Sequence, residues 1–155
     1  MTFRALVINQ ADGAITHEVQ ELDESRLPAG EVTIAIDYSS LNYKDGLILT
    51  GRGRLVREYP HVPGIDLAGT VTASKSPSWK VGDRVLVTGW RVGEIWWGGY
   101  ASKASVKSEW VNAVPARITT RQAMAIGTAG FTAMLAINVL EAAGLRPGQG
   151  PVLVT

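Results

Sequence analysis

A change of texture near Pro115 constrains this chain more than any other feature. Before it, apolar and polar residues alternate over short runs broken by glycine and proline. After it, apolar residues come almost without interruption. The first pattern has the period of a half-buried strand and the second that of a buried helix, so one kind of element cannot serve for both. Phe3, Ala5 and Val7 alternate with Arg4, Leu6 and Ile8 in a first strand that is apolar on both faces near its end. Val32, Ile34 and Ile36 alternate cleanly with Thr33, Ala35 and Asp37. Leu67, Gly69, Val71 and Ala73 form another strand beyond a turn at Pro63-Gly64, and Val81-Gly82-Asp83-Arg84 turns the chain into Val85-Leu86-Val87. Further strands are predicted at Tyr100–Val106 and Trp110–Val114. Seventeen glycines and seven prolines supply the turns that many short strands need. The expected result is a small, partly open barrel, interrupted by a short helix over Tyr43–Thr50 that Gly51 closes.

Beyond Pro115, Thr119 with Gln122 three residues later has the spacing of a capping box that opens a helix. From Ala129 to Ala143 that helix is apolar almost all round (Phe131, Met134, Leu135, Ile137, Val139, Leu140), which predicts burial on most sides. Gly144 is the expected C′ residue, with Pro147 to prevent continuation. Pro151–Thr155 then reads as a strand buried on both faces. Such a strand needs a sheet, which it cannot supply alone, so helix and strand together predict the opening of a truncated α/β domain.

Composition narrows the function. With 155 residues, 46% of them apolar, the chain can bury a real core. Fifteen Lys and Arg against fourteen Asp and Glu leave a net charge of +1, so neither nucleic acid nor an anionic membrane is the expected partner. No apolar run approaches the ~20 residues needed to span a bilayer. The N-terminus lacks the apolar core of a signal peptide, and a soluble cytoplasmic protein is the expectation. The absence of cysteine excludes disulfides and thiolate-bound metals. His17, in an alternating strand, is expected at the surface, and His61, beside Pro60 and Pro63, in a structural role; two histidines make a poor zinc site.

Three segments carry a resemblance: Ser39-Ser40-Leu41-Asn42-Tyr43-Lys44-Asp45, Pro63-Gly64-Ile65-Asp66-Leu67-Ala68-Gly69 and Gly127-Thr128-Ala129-Gly130-Phe131-Thr132-Ala133. With Val81-Gly82-Asp83-Arg84-Val85 between them, they resemble the quinone-oxidoreductase branch of the medium-chain dehydrogenase/reductase superfamily. Leu22–Pro28, Thr88-Gly89-Trp90 and Trp97-Gly98-Gly99 resemble the acryloyl-coenzyme A reductase subgroup within it. The resemblance runs over the whole chain. It implies a GroES-like barrel over residues 1–118, then, over 119–155, an interdomain helix and the start of a Rossmann domain, with the active site between the two domains. The zinc enzymes of this superfamily place a Cys and a His where this chain has Asn42 and Ile65, so the resemblance implies a reductase without zinc. It also implies NADPH as cofactor, an acyl-coenzyme A substrate and a homodimeric full-length protein. The implied reaction passes hydride from nicotinamide C4 to the β-carbon of an α,β-unsaturated thioester, acryloyl-coenzyme A giving propanoyl-coenzyme A. Negative charge then builds on the thioester oxygen, where preorganised donors are most effective, and the α-carbon takes a proton.

On this resemblance Asn42, Tyr43, Asp45 and Asp66 are the catalytic candidates. Tyr43, Lys44, Thr128 and Thr132 are candidates for the cofactor, and Arg52, Arg54, Trp90 and Trp97 for the substrate. Several have a plainer alternative. Asp45 can serve the short helix, with Asn42 as its N-cap, and Lys44 can face water. Asp66 can pair with Arg52, Arg54 or Arg57. Those arginines suit coenzyme A phosphates or form a solvated loop. Trp90, Trp96 and Trp97 wall a pocket or pack together. At the level of the molecule, the alternatives to a thioester reductase are a quinone or enone reductase and a stand-alone GroES-like module that binds without turnover. The continuation past Pro115 favours an enzyme whose cofactor phosphate site lies beyond Thr155, so these residues alone are expected to be inactive.

Overall fold

The computed structural model describes residues 1–154. Its first unit is a hairpin of β1 (Thr2–Ala11) and β2 (Ala14–Asp23), joined by Asp12 and Gly13 at φ 51° and 80°. Positive φ at both central residues lets a two-residue turn match the twist of its strands, and Asp-Gly is a sequence that accepts it. β2 contains His17, expected in an alternating strand at the surface, and it lies exposed along most of its length.

The second unit is a five-stranded antiparallel sheet in the order β6-β3-β4-β5-β7. Its members are β3 (Val32–Ser39), β4 (Asp66–Ser74), β5 (Arg84–Thr88), β6 (Lys103–Val106) and β7 (Asn112–Ala113). The strand expected over Tyr100–Val106 is divided. Tyr100–Ser102 bonds to β1 instead, through Leu6 N–H to the Tyr100 carbonyl and Ser102 N–H to the Arg4 carbonyl, both at 2.8 Å. A second stitch joins Ile8 and His61 at 2.8 and 3.0 Å. These bonds close the hairpin onto the sheet as a partly open, mainly β barrel. The strand expected over Trp110–Val114 shrinks to β7, because Ser108–Trp110 forms a turn of 3₁₀ helix.

Val32, Ile34, Leu67, Val71, Val85, Val87 and Val106 fill the barrel, none more than 1% exposed. Each such side chain contributes ~1.5–3 kcal/mol of apolar burial. Phe3, Ala5, Val7, Leu22 and Val62 form a second cluster under the hairpin. A short helix, α1 (Tyr43–Leu49), follows β3 as expected, with Gly51 just beyond it at φ 69°.

The long helix α2 (Thr120–Ala142) opens as predicted on Thr119, whose hydroxyl accepts from Gln122 N–H at 3.2 Å. It closes on Gly144 with Leu145 N–H on the Leu140 carbonyl and Gly144 N–H on that of Glu141, both 3.0 Å, the Schellman arrangement. Two expectations fail here. The apolar half is not buried: Phe131 is 54% exposed and Val139 69%, because nothing among the described residues packs over them. Residues 150–154 form no strand and lie exposed, for want of a sheet edge to join; Thr155 lies outside the described residues.

By length and composition α2 is apolar enough to cross a membrane, where no apolar run of that length was expected. The helix is broken, however, by Gly127 at φ 50°, ψ −162°. From Thr128 to Ala142 roughly 22 Å of continuous helix remains, short of the ~30 Å hydrocarbon core. Before the break, Ala123 and Met124 pack on Ala68 and Val114 of the barrel.

Candidate active site

The three motif segments meet at one buried carboxyl group. Asp66 opens β4 and is fully buried. Its Oδ2 accepts from Ser40 Oγ at 2.5 Å, from Asn42 Nδ2 at 3.1 Å and from Thr128 N–H at 2.8 Å. Its Oδ1 accepts from the Thr128 hydroxyl at 2.5 Å. Burying a carboxyl group is expensive unless donors replace its water, and here two other chain segments supply them, Ser40 with Asn42 and Thr128. The break in α2 makes this possible. A β-carbon on Gly127 would lie 2.8 Å from Asp66 Oδ2, and the residue's positive φ suits glycine, so Thr128 can bring both its donors inward.

A second buried carboxyl group, Asp45, lies at the third position of α1. It accepts Asn42 N–H at 2.9 Å, capping the helix, and Ile65 N–H at 3.0 Å, tying that helix to the approach of β4. Tyr100 completes the cluster by donating its hydroxyl to the Ser40 carbonyl at 3.2 Å. Burial raises the Tyr100 pKa, and Asp45 and then Asp66 raise it further, so the phenol stays a donor.

Asn42, Asp45, Asp66 and Thr128 are therefore brought together, but as a lock and not as an open set of reagents. Asp66 and Asp45 have no exposed surface with which to touch a substrate, and the Thr128 hydroxyl is committed to Asp66 where a cofactor contact was expected. The alternative ion pair from Asp66 to Arg52, Arg54 or Arg57 is absent among the described residues. Thr132 is exposed, its hydroxyl turned back to the Thr128 carbonyl at 2.8 Å. Lys44 neither faces water alone nor stands free for a phosphate; it pairs with Glu94 at 2.8 Å.

Tyr43 is the open member, 85% exposed at the start of α1. It lines a groove of about 420 Å³ with Leu41, Asn42, Gly46, Leu47, Thr50 and Arg52. Arg54 is exposed on the same loop but outside this groove. The tryptophans separate. Trp90 is 55% exposed and stacks on Trp110 at 6.3 Å, and Trp96 meets the same ring edge-on at 5.2 Å. Trp97 packs under the hairpin, with Arg26 over its ring at 5.8 Å, and does not join Trp90. Sequence reasoning missed Ser40, Tyr100 and Glu94 as parts of this region. Ser40 stood inside a quoted motif, but no local pattern announces the other two, which arrive from distant loops.

Comparison with known proteins places these observations. The profile of the alcohol dehydrogenase GroES-like domain matches residues 28–116. The acrylyl-CoA reductase AcuI of Ruegeria pomeroyi is 56% identical over 155 residues, 99% of this chain and 47% of that protein. The crystal structure of the yhdH oxidoreductase from Salmonella enterica in complex with NADP is 54% identical, with a TM-score of 0.92 over 95% of this chain and 45% of that one. That of Bacillus subtilis protein yhfP with NAD bound is 40% identical, with a TM-score of 0.92 over 97% of this chain and 46% of that one. The chain thus spans about half the length of the relatives it matches.

Proposed function

Because this chain belongs to the alcohol dehydrogenase GroES-like domain family, in the acryloyl-coenzyme A reductase subgroup of the medium-chain dehydrogenase/reductases, we propose that the whole protein is an NADPH-dependent reductase of α,β-unsaturated thioesters. Acryloyl-coenzyme A is the preferred substrate. Residues 1–118 form the catalytic domain, and 119–155 form the interdomain helix and the start of the nucleotide domain. The full-length protein is a cytoplasmic homodimer that uses no zinc. The similarity to an acrylyl-CoA reductase and to an NADP-bound oxidoreductase supports the chemistry and the cofactor. The complete lack of cysteine, with Asn42 and Ile65 at the zinc-ligand positions, supports metal-free catalysis.

The observation that carries the proposal is the lock at Asp66. It holds Asn42 from the side-chain end and Asp45 holds its backbone, so the turn bearing Tyr43 is fixed while Tyr43 itself stays open. The residues fit the nicotinamide end of a dinucleotide: an exposed ring able to stack or donate, beside an amide whose orientation is set. They do not fit its phosphates, since Thr128 is already bonded. When bound, NADPH supplies the hydride. Tyr43 contacts the nicotinamide or the thioester, Asn42 orients that contact, and Arg52, which lines the same groove, meets an anionic part of the substrate. Asp45 and Asp66 act as positioning residues.

Isotope transfer tests this on the full-length protein. NADPH carrying deuterium at the transferable C4 position should place the label on the β-carbon of propanoyl-coenzyme A. Label on the α-carbon, or none in the product, would contradict the proposal. Reduction confined to quinones would move the protein to the quinone-reductase reading.

A further inference from the structure

Glu94 lies outside every motif that carries the resemblance, yet its side chain is only 7% exposed and its two oxygens are divided between two cations. Oε1 accepts Lys44 Nζ at 2.8 Å and Oε2 accepts Arg91 Nε at 3.2 Å. Lys44 is the second residue of α1, between Tyr43 and Asp45. Arg91 follows Trp90, and these two residues hold φ values of 59° and 55°, a conformation that residues with a side chain adopt infrequently.

The backbone around Glu94 is pinned independently. Gly93 N–H donates to the Trp96 carbonyl at 2.7 Å, and the His61 ring donates Nε2–H to the Gly93 carbonyl at 2.9 Å. Glu94 therefore reaches from a fixed base to a helix of seven residues, too short to hold its own geometry in water. On the barrel side that helix is held by Asp45 on Ile65 N–H, by Asp66 on its N-cap Asn42, and by Ile48 packed against Ile8 and Val56. Lys44 to Glu94 is the tether on the opposite, loop side. Without it, the first turn is held from the barrel side alone, and its outward side has no bond to the loop that bears Trp90.

We infer that Glu94 is a positioning residue: by gripping Lys44 and Arg91 together, it sets the turn that bears Tyr43 against the loop that bears Trp90. In its effect on turnover, this inference rests on the reductase proposal; in its effect on α1, it does not.

Two readouts on the full-length protein separate those parts. In hydrogen exchange, Glu94→Gln should speed the amides of α1 and of residues 90–95 by at least about tenfold, and leave β3 and β4 unchanged. In NADPH oxidation with acryloyl-coenzyme A, Glu94→Gln and Lys44→Met should each lower kcat/KM by roughly tenfold, with no further loss when combined. In a Tyr43→Ala background, Glu94→Gln should cost less than about twofold, which a merely structural residue would not show. Unchanged exchange in α1 would overturn the clamp. A full loss persisting without Tyr43 would overturn positioning through that residue. No thioester turnover by the unaltered protein would sink the reductase proposal alone, with exchange still deciding the clamp.

Discussion

Asp66 is surrounded by N–H and O–H donors, so an amide in its place would point an N–H at one of them. Asp66→Asn should leave at least one buried donor unpaired and destabilise the chain by about 2–4 kcal/mol in urea unfolding. A loss under ~1 kcal/mol would mean that the cluster relaxes around the amide. His61 gives a pH test. Burial lowers its pKa below the ordinary 6.5, against the opposing hydrogen bond to Gly93. The unfolded chain therefore takes up a proton before the folded one does, and the stability from this site, present above about pH 6.5, is lost as pH falls through the depressed folded value. Stability should decline on acidification below about 6.5, and His61→Gln should flatten that decline in denaturation curves measured at several pH values. Much of the site was legible at this scale. Asn42, Asp45 and Asp66 were singled out through the resemblance, and Asp66 also because a carboxyl group between Ile65 and Leu67 at a strand start needs a buried partner. The identity of those partners was not visible, because Thr128 and Tyr100 reach the cluster through folding and not through spacing.

Elements whose ends carry specific chemistry were the easiest to read. Thr119 with Gln122, and Gly144 with Pro147, mark α2 by hydrogen-bonding needs that no tertiary contact alters. Thr119→Ala should cost ~1 kcal/mol of stability. The break inside the helix was hidden, since Gly127 among Ala, Ile and Thr looks like one more small residue. Its positive φ and the 2.8 Å approach to Asp66 predict that Gly127→Ala destabilises by about 1–3 kcal/mol and loosens Thr128 from Asp66. Thermal unfolding with hydrogen exchange at Thr128 would check both effects. β2 was legible only through the alternation around His17: with little of either face buried, its extent is defined by pairing with β1.

For the molecule as a whole, alternation correctly gave a mainly β barrel, but it could not show that the barrel is closed by stitches at Tyr100–Ser102 and His61. The apolar face of α2 was expected to be buried, and among the described residues it is bare. The 155-residue chain by itself should show no NADPH turnover, since both threonines expected to meet the cofactor donate their hydroxyls elsewhere, Thr128 to Asp66 and Thr132 to the Thr128 carbonyl. Turnover by the monodisperse isolated chain would contradict this. The central claim is thioester reduction by the full-length protein, and the most direct measurement is NADPH oxidation with acryloyl-coenzyme A against a quinone, with and without a zinc chelator. The account predicts a kcat/KM for the thioester at least about 100-fold above that for the quinone, indifferent to chelator. Equal or greater activity on the quinone, or loss of thioester turnover on chelation, would contradict it.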